Sequence, residues 1–261
     1  MRWSEAMRER LHGRGDWLIP DWPAPSGVRA FVTTRDGGVS DGAYASLNLG
    51  LRSGDEPHKV ARNRSIVRAY LPAAPVWMTQ VHGARVLDLD CASSAAPLEA
   101  DAAVSRSPER VCAVLTADCM PLLLCDDEGH HVGVAHAGWR GIAAGVIENS
   151  VGALGVAPSR LMAWMGPAIG PQAFEVGAEV REALLAGDAH AQAAFSAHTP
   201  GKFKADLYAL ARRRLARMGV VQIYGGGFCT YFETERFFSY RREKQSGRMG
   251  AFIWQESVVR P

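Results

Sequence analysis

With 261 residues, 48% hydrophobic and 21% charged, the chain has the composition of a globular protein able to bury a substantial core. A formal net charge of +2 gives no argument for nucleic acid or an anionic membrane as partner. No apolar run approaches the ~18 residues of a membrane span, and the mixed-charge N-terminus lacks the apolar stretch of a signal peptide, so cytoplasm is the expected location.

Trp3, Met7 and Leu11 recur every four residues and predict a short amphipathic helix. Pro20 to Pro25 reads as a loop, Val28 to Thr33 as a strand, and Arg35-Asp36-Gly37-Gly38-Val39-Ser40 as a turn. Glu56 to Leu71 suits a helix, with Val60, Ile66, Val67 and Tyr70 on one side. Val76 to Met78 and Val86 to Leu89 are short strand candidates, and Ser93 to Pro97 is a loop. Val111 to Thr116, Pro121 to Cys125 and Val132 to Ala135 are continuous apolar runs, as expected of strands covered on both faces. A helix is predicted from Gly138 through Gly141 to Leu154, ending near Gly155. Asp206 reads as the N-cap of a helix burying Leu207, Leu210, Leu215 and Met218. Strands and helices mix without a strict βαβ rhythm. The expectation is one α/β domain over residues 1–261, a layered sandwich with mixed sheets and not a Rossmann fold.

Five cysteines, none in a CxxC, and no sign of export argue against a disulfide framework; Cys112 and Cys125 read as buried small apolar residues. Cys119 is different. Like His82 and His136, it sits where an apolar run gives way to a turn containing Gly or Asp, the place where a rigid scaffold presents reactive side chains. Two imidazoles and a thiolate suit zinc and leave a fourth position for water or substrate. The same set accommodates one copper, but eight histidines without any HxH pair do not suggest a multicopper cluster. A metal-free alternative makes Cys119 a nucleophile with His136 or His82 as its base. The spacing, 37 residues from His82 to Cys119 and 17 from Cys119 to His136, does not choose among these.

Several strings then occur together and in order. They include Trp17-Leu18-Ile19-Pro20-Asp21-Trp22-Pro23, Ser46-Leu47-Asn48-Leu49-Gly50, Gln80-Val81-His82-Gly83, Leu115-Thr116-Ala117-Asp118-Cys119 and His136-Ala137-Gly138-Trp139-Arg140-Gly141. Gly166-Pro167-Ala168-Ile169-Gly170-Pro171, Cys229-Thr230-Tyr231 and Phe237-Phe238-Ser239-Tyr240-Arg241-Arg242 follow. In these the chain resembles the bacterial laccase-domain family of the YfiH type, once labelled multicopper polyphenol oxidases and later described as purine nucleoside phosphorylases. The resemblance implies a CNF/YfiH-like α/β sandwich and a zinc site made by His82, Cys119 and His136. It also implies phosphorolysis of adenosine, inosine and S-methyl-5'-thioadenosine, with adenosine deamination as a second activity. Some relatives resemble a peptidoglycan-editing factor, which would fit the Cys119 amide-hydrolase alternative. Purine nucleosides and phosphate are then the expected partners, and a monomer or homodimer the expected state.

With such substrates in view, Arg35, Arg64, Arg140, Arg241 and Arg242 are candidates to bind phosphate or a sugar hydroxyl, although such arginines also serve as surface ion pairs. Asn48 either orients substrate or bonds backbone. Asp118 is either a general base or the partner of a metal-bound histidine. Tyr240, Phe237 and Phe238 belong to the core or offer one face to a purine. Arg212, Arg213, Arg214 and Arg217 read as a solvated helix face. Gly225-Gly226-Gly227 is weak as a phosphate loop because no GK[ST] follows.

Overall fold

Alternation along the strands divides the apolar side chains among separate cores and thereby stacks the molecule in layers. The structure is a computed structural model and describes residues 16–91 and 98–257. The expected helix at Trp3 to Leu11 and the loop at Ser93 to Pro97 lie outside the described residues.

A three-stranded antiparallel sheet runs in the order β1 (Val28–Val32), β12 (Met249–Gln255), β4 (Cys112–Thr116). Its odd and even residues face opposite ways. Val28, Ala30, Val32, Cys112, Val114, Ala251 and Ile253 point inward. Phe31, Ala113, Phe252 and Trp254 point outward, against Trp17, Tyr70 and α1 (Pro57–Arg68). The inward set meets a six-stranded mixed sheet in the order β11 (Gln222–Gly225), β7 (Leu161–Met165), β5 (Met120–Asp126), β6 (Val132–Ala137), β3 (Ala102–Ser105), β2 (Val86–Asp88). Here Leu123, Cys125, Val132, Val134, Met162 and Trp164 face the smaller sheet. Leu122, Leu124, Ala135, Ala163 and Met165 face the helices α2 (Trp139–Ala144), α3 (Val146–Ala153) and α5 (Leu207–Met218). The order is therefore helix, sheet, sheet, helices. A third small sheet, β8 (Glu175–Gly177), β10 (Lys202–Ala205) and β9 (Phe195–Ala197), joins the helical core through Val176 and Ala205, beside α4 (Ala178–Leu185). A last short helix, α6 (Tyr240–Glu243), follows the N-cap Ser239. The mixed α/β sandwich expected from the sequence is the observed fold.

Three elements differ from the sequence reading. The helix expected from Gly138 to Leu154 is two helices. Gly145 at φ 92° closes α2 and opens α3, a left-handed turn that glycine adopts without a Cβ clash. The strand expected at Val132 to Ala135 continues to Ala137, so His136 is inside it. Val76 to Met78 is no strand; only Thr79 makes a bridge, to Glu99. Trp77 instead turns its ring edge to Phe252, with Arg64 stacked on it at 3.9 Å. Asp206 caps α5 as expected, accepting from the Ala209 N–H at 3.0 Å. No helix among the described residues is long and apolar enough to cross a membrane.

Candidate metal centre

The register of the six-stranded sheet assembles the centre. Pro121 pairs with His136 across β5 and β6, and Ala102 pairs with Ala135 across β3 and β6. Asp101, one residue before Ala102, therefore faces His136, and its carbonyl accepts the His136 N–H at 2.7 Å. His136 shares a face with Val132 and Val134, so its ring enters the space between the sheets, where it is 4% exposed. Cys119 lies just before β5, and His82 comes from the loop ahead of β2.

One carboxylate organises both histidines. Asp101 Oδ1 accepts from His136 Nδ1 and from the His82 N–H, both at 2.9 Å. Its Oδ2 accepts from the N–H of Val81 at 3.0 Å and of Gly83 at 2.8 Å. These bonds hold the loop around His82, whose φ is 60°. The Gln80 side chain secures the same loop to β4, donating to the Leu115 carbonyl and accepting from the Leu115 N–H, both at 2.8 Å. Burial works against the Asp101 charge, but the bonds from His136, Gly83 and Val81 hold its carboxyl below the ordinary value. Because a carboxylate only accepts, His136 Nδ1 carries the proton and Nε2 is turned to the centre.

The donor atoms of His82, Cys119 and His136 lie within 4.8 Å of one another, and the two imidazoles meet edge to face at 4.8 Å between centroids. Burial opposes ionisation of Cys119. The charge on His136 and hydrogen bonds from His136 and His82 outweigh it and bring the thiol down to about 6. His136, disfavoured as a cation by its own burial, is raised to about 9 by the Cys119 thiolate and Asp101. Gly138 makes this approach possible: a Cβ there would stand 2.6 Å from Cys119 Sγ and 3.6 Å from His82 Cδ2. Two imidazole nitrogens and a ready thiolate, with one histidine oriented from behind, fit zinc with a position left open.

The other expected site residues are distributed less uniformly. Asp118, at φ 82° and buried, accepts from Thr230 Oγ1 and from the Arg241 N–H, each at 2.6 Å. The carboxylate on His136 is thus Asp101 and not Asp118, because the β3–β6 register faces Asp101 to His136. Asn48 is fully buried. It donates to Ser53 Oγ and Asp55 Oδ2 and accepts from the N–H of Gly50 and Arg248, which uses its whole hydrogen-bonding capacity internally. Arg35 fastens the Ala45 and Thr234 carbonyls and pairs with Glu243. Arg242 binds three backbone carbonyls and the same Glu243. Arg241 donates to the Glu175 carbonyl and lies over Phe174. Arg140 is exposed, over its neighbour Trp139. Phe237 and Phe238 are wholly buried, whereas Tyr240 is 51% exposed. Arg214 departs from the solvated-face reading: it is buried and pairs with Glu148.

A family model described as multi-copper polyphenol oxidoreductase laccase matches residues 29–256. The chain belongs to this family. Among its relatives, purine nucleoside phosphorylase PA4543 of Pseudomonas aeruginosa is 51% identical over 239 residues, 91% of this chain and 98% of that protein. Purine nucleoside phosphorylase YfiH of Escherichia coli is 54% identical over 239 residues, again 91% and 98%. Among solved structures, Neisseria meningitidis protein NMB0706 superposes with a TM-score of 0.89 at 48% identity, over 93% of this chain and all of that one. YlmD of Geobacillus stearothermophilus gives 0.85 at 32% identity, over 92% and 96%. The YfiH-type laccase-domain family expected from the motifs is the family found.

Two residues of this family member's centre escaped the sequence reading. Asp101 carried a signal, a lone acid in the apolar run Ala100-Asp101-Ala102-Ala103-Val104, but its partner depends on strand register. Arg248 stands between Gly247 and the apolar start of β12, and only the fold brings it near Cys119 and Asp118, whose charges act on it.

Proposed function

We propose that the chain is a zinc-dependent purine nucleoside phosphorylase acting on adenosine, inosine and S-methyl-5'-thioadenosine, with adenosine deamination as a side activity. The observation that carries this reading is the meeting of His82, Cys119 and His136 around one point, with Asp101 orienting His136. Relatives named purine nucleoside phosphorylase at 51% and 54% identity support the substrate class. His82, Cys119 and His136 would hold the metal, which when bound supplies Lewis acidity beside the substrate.

In phosphorolysis a phosphate oxygen bonds to the anomeric carbon, the glycosidic C–N bond breaks, and the purine leaves with a proton. The chain must hold a polyanion in line with that bond, for which arginines are the suitable donors. In deamination water replaces the exocyclic amine as ammonia. Asp101 keeps the His136 ring and the His82 loop in place through both reactions, and its hydrogen bond to Nδ1 keeps His136 Nε2 directed at the centre.

The lowered Cys119 thiol beside the raised His136 supports a second reading, an amide hydrolase with Cys119 as nucleophile and peptidoglycan precursors as substrates. Mass spectrometry of adenosine, inosine and methylthioadenosine incubations, with and without phosphate, separates the two. Ribose 1-phosphate formed from adenosine or inosine only when phosphate is present is the expected result. No phosphate-dependent cleavage by the zinc-loaded protein rejects the phosphorylase. Full zinc occupancy in a His82→Ala/Cys119→Ser/His136→Ala triple variant, by elemental analysis, rejects the metal assignment.

A further inference from the structure

Several half-buried or buried arginines of the chain have a carboxylate partner: Arg35 and Arg242 share Glu243, Arg236 has Glu233, and Arg214 has Glu148. Arg64 and Arg248 do not. Among the described residues, neither makes an ion pair. Arg64 donates Nε to the Leu49 carbonyl at 2.9 Å and stacks on Trp77. Arg248 donates Nη1 to the carbonyls of Ser246 and Gly247, at 2.6 and 3.0 Å. Carbonyls orient a guanidinium without neutralising it, and both Nη atoms of Arg64, with Nε and Nη2 of Arg248, keep donors to spare. Burial lowers the Arg64 guanidinium to about 10 and holds that of Arg248 below its usual range. A half-buried cation without a paired carboxylate is costly, an arriving anion relieves the cost, and for Arg248 the nearby Cys119 and Asp118 charges offset only part of the lowering by burial.

The two side chains also converge on one turn. Leu49 takes the Arg64 bond at its carbonyl and gives its own N–H to the Arg248 carbonyl at 3.1 Å. Gly50 makes room there, since a Cβ would stand 2.8 Å from Arg248 Cγ. This turn borders the metal centre. Met249 pairs with Thr116, so Arg248 comes opposite Ala117, two residues before Cys119. On its other side the Arg248 guanidinium lies 5.7 Å from the ring of exposed Tyr240. Asn48, held rigidly by its four bonds, fixes the Arg248 backbone through its N–H at 2.9 Å. The planar fork of arginine matches the tetrahedral oxygens of phosphate in pairs.

We propose that Arg248, with Arg64 across the Leu49–Gly50 turn, forms the cradle that binds inorganic phosphate beside the His82–Cys119–His136 centre. This rests on the phosphorolysis reading and names the residues that receive its second substrate. The test is calorimetric titration of the zinc-loaded full chain with inorganic phosphate and, separately, with a nucleoside monophosphate. Wild type is compared with Arg248→Gln, Arg248→Lys, Arg64→Gln and the exposed control Arg62→Gln, alongside phosphate-dependent kinetics and melting temperatures. Arg248→Gln is expected to weaken phosphate binding about tenfold or more, the effect of losing a charged hydrogen bond. The phosphate KM should rise with it and the nucleoside KM should stay unchanged. Arg248→Lys is expected to recover part of the loss, and Arg62→Gln to match wild type. If Arg248→Gln fails to fold, Arg248→Lys and Arg64→Gln carry the comparison. A folded Arg248 or Arg64 variant with unaltered phosphate affinity, in an enzyme that still consumes phosphate, overturns the cradle and leaves the phosphorylase standing. Weakened binding of the nucleoside monophosphate alone also overturns it, as would wild type that neither binds nor consumes phosphate, a result that would reject the phosphorylase as well.

Discussion

Asp101 accepts four hydrogen bonds with one carboxylate, three from the backbone around His82 and one from His136 Nδ1. Charge matters here as well as geometry. An Asn at 101 offers one acceptor oxygen and an amide nitrogen that must face N–H donors. Asp101→Asn is therefore expected to release the His82 loop and lower zinc affinity roughly 10- to 100-fold, the usual effect of removing a carboxylate behind a metal-bound histidine. Competition against a chromophoric chelator measures it, and an unchanged affinity would show that the ligands hold their positions without Asp101. The pairing of half-buried Cys119 with buried His136 is legible only at this scale. The sequence identified the thiol and the imidazole, but the opposing effects of burial and mutual charge come from 4% exposure at His136 and the closeness permitted by Gly138.

At the scale of elements, the helix ends carry two separable costs. Gly145→Ala must place a Cβ at φ 92° between α2 and α3 and is expected to destabilise the chain by about 1 kcal/mol or more. Denaturant unfolding checks it; a stability equal to wild type would mean that the turn relaxes at no cost. Ahead of α5, Asp188 accepts the His190 N–H of its own turn and binds Arg213 and Arg217 of the helix. The Arg213 hydrogen bond, working against burial and aided by the Arg213 and Arg217 charges, lowers its carboxyl from the ordinary 3.8 to about 2. A lowered carboxyl stabilises the fold fully above its unfolded value and loses that contribution as pH falls through the folded one. Asp188→Asn should accordingly lower the melting temperature at neutral pH, and its deficit against wild type should shrink between about pH 4 and pH 2. A deficit independent of pH would assign Asp188 a packing role instead. Elements buried on both faces, β4, β5 and β6, were readable as apolar runs. Strand β12 was not, although it is the middle strand of its sheet, because Gly250 and Gln255 interrupt its pattern. The third small sheet escaped for a related reason: β10 alternates Lys202 and Lys204 with Phe203 and looks like surface loop.

Across the whole molecule, the question is whether the four layers hold the metal sites that the family's description names. Eight histidines are spread along the chain without an HxH pair. Among the described residues, the donors that come together form His82–Cys119–His136 and the turn Asp126–Glu128–His130, where Asp126 Oδ1 already accepts the N–H of His130 and His131. The layering explains this. The space between the sheets is filled mainly by Val, Leu, Met and Trp side chains, with Cys112 and Cys125 as separate thiols, and among the described residues the donors bordering it gather into a group of three at the strand ends around His136. A single His2Cys position takes one copper, and one copper does not assemble the multi-ion cluster that reduces dioxygen to water. The fold class was legible in the sequence because mixed strands and helices without a βαβ rhythm leave few layered arrangements. The meeting of His82, Cys119 and His136 was only implied there, since nothing in a spacing of 37 and 17 residues says that three side chains come together. The protein loaded with copper and freed of excess is therefore expected to oxidise phenols no faster than the His82→Ala/Cys119→Ser/His136→Ala variant treated alike. An oxygen electrode run beside phenol consumption reads this directly. Robust phenol oxidation coupled stoichiometrically to dioxygen uptake, and lost in the triple variant, would mean that this one site performs laccase chemistry.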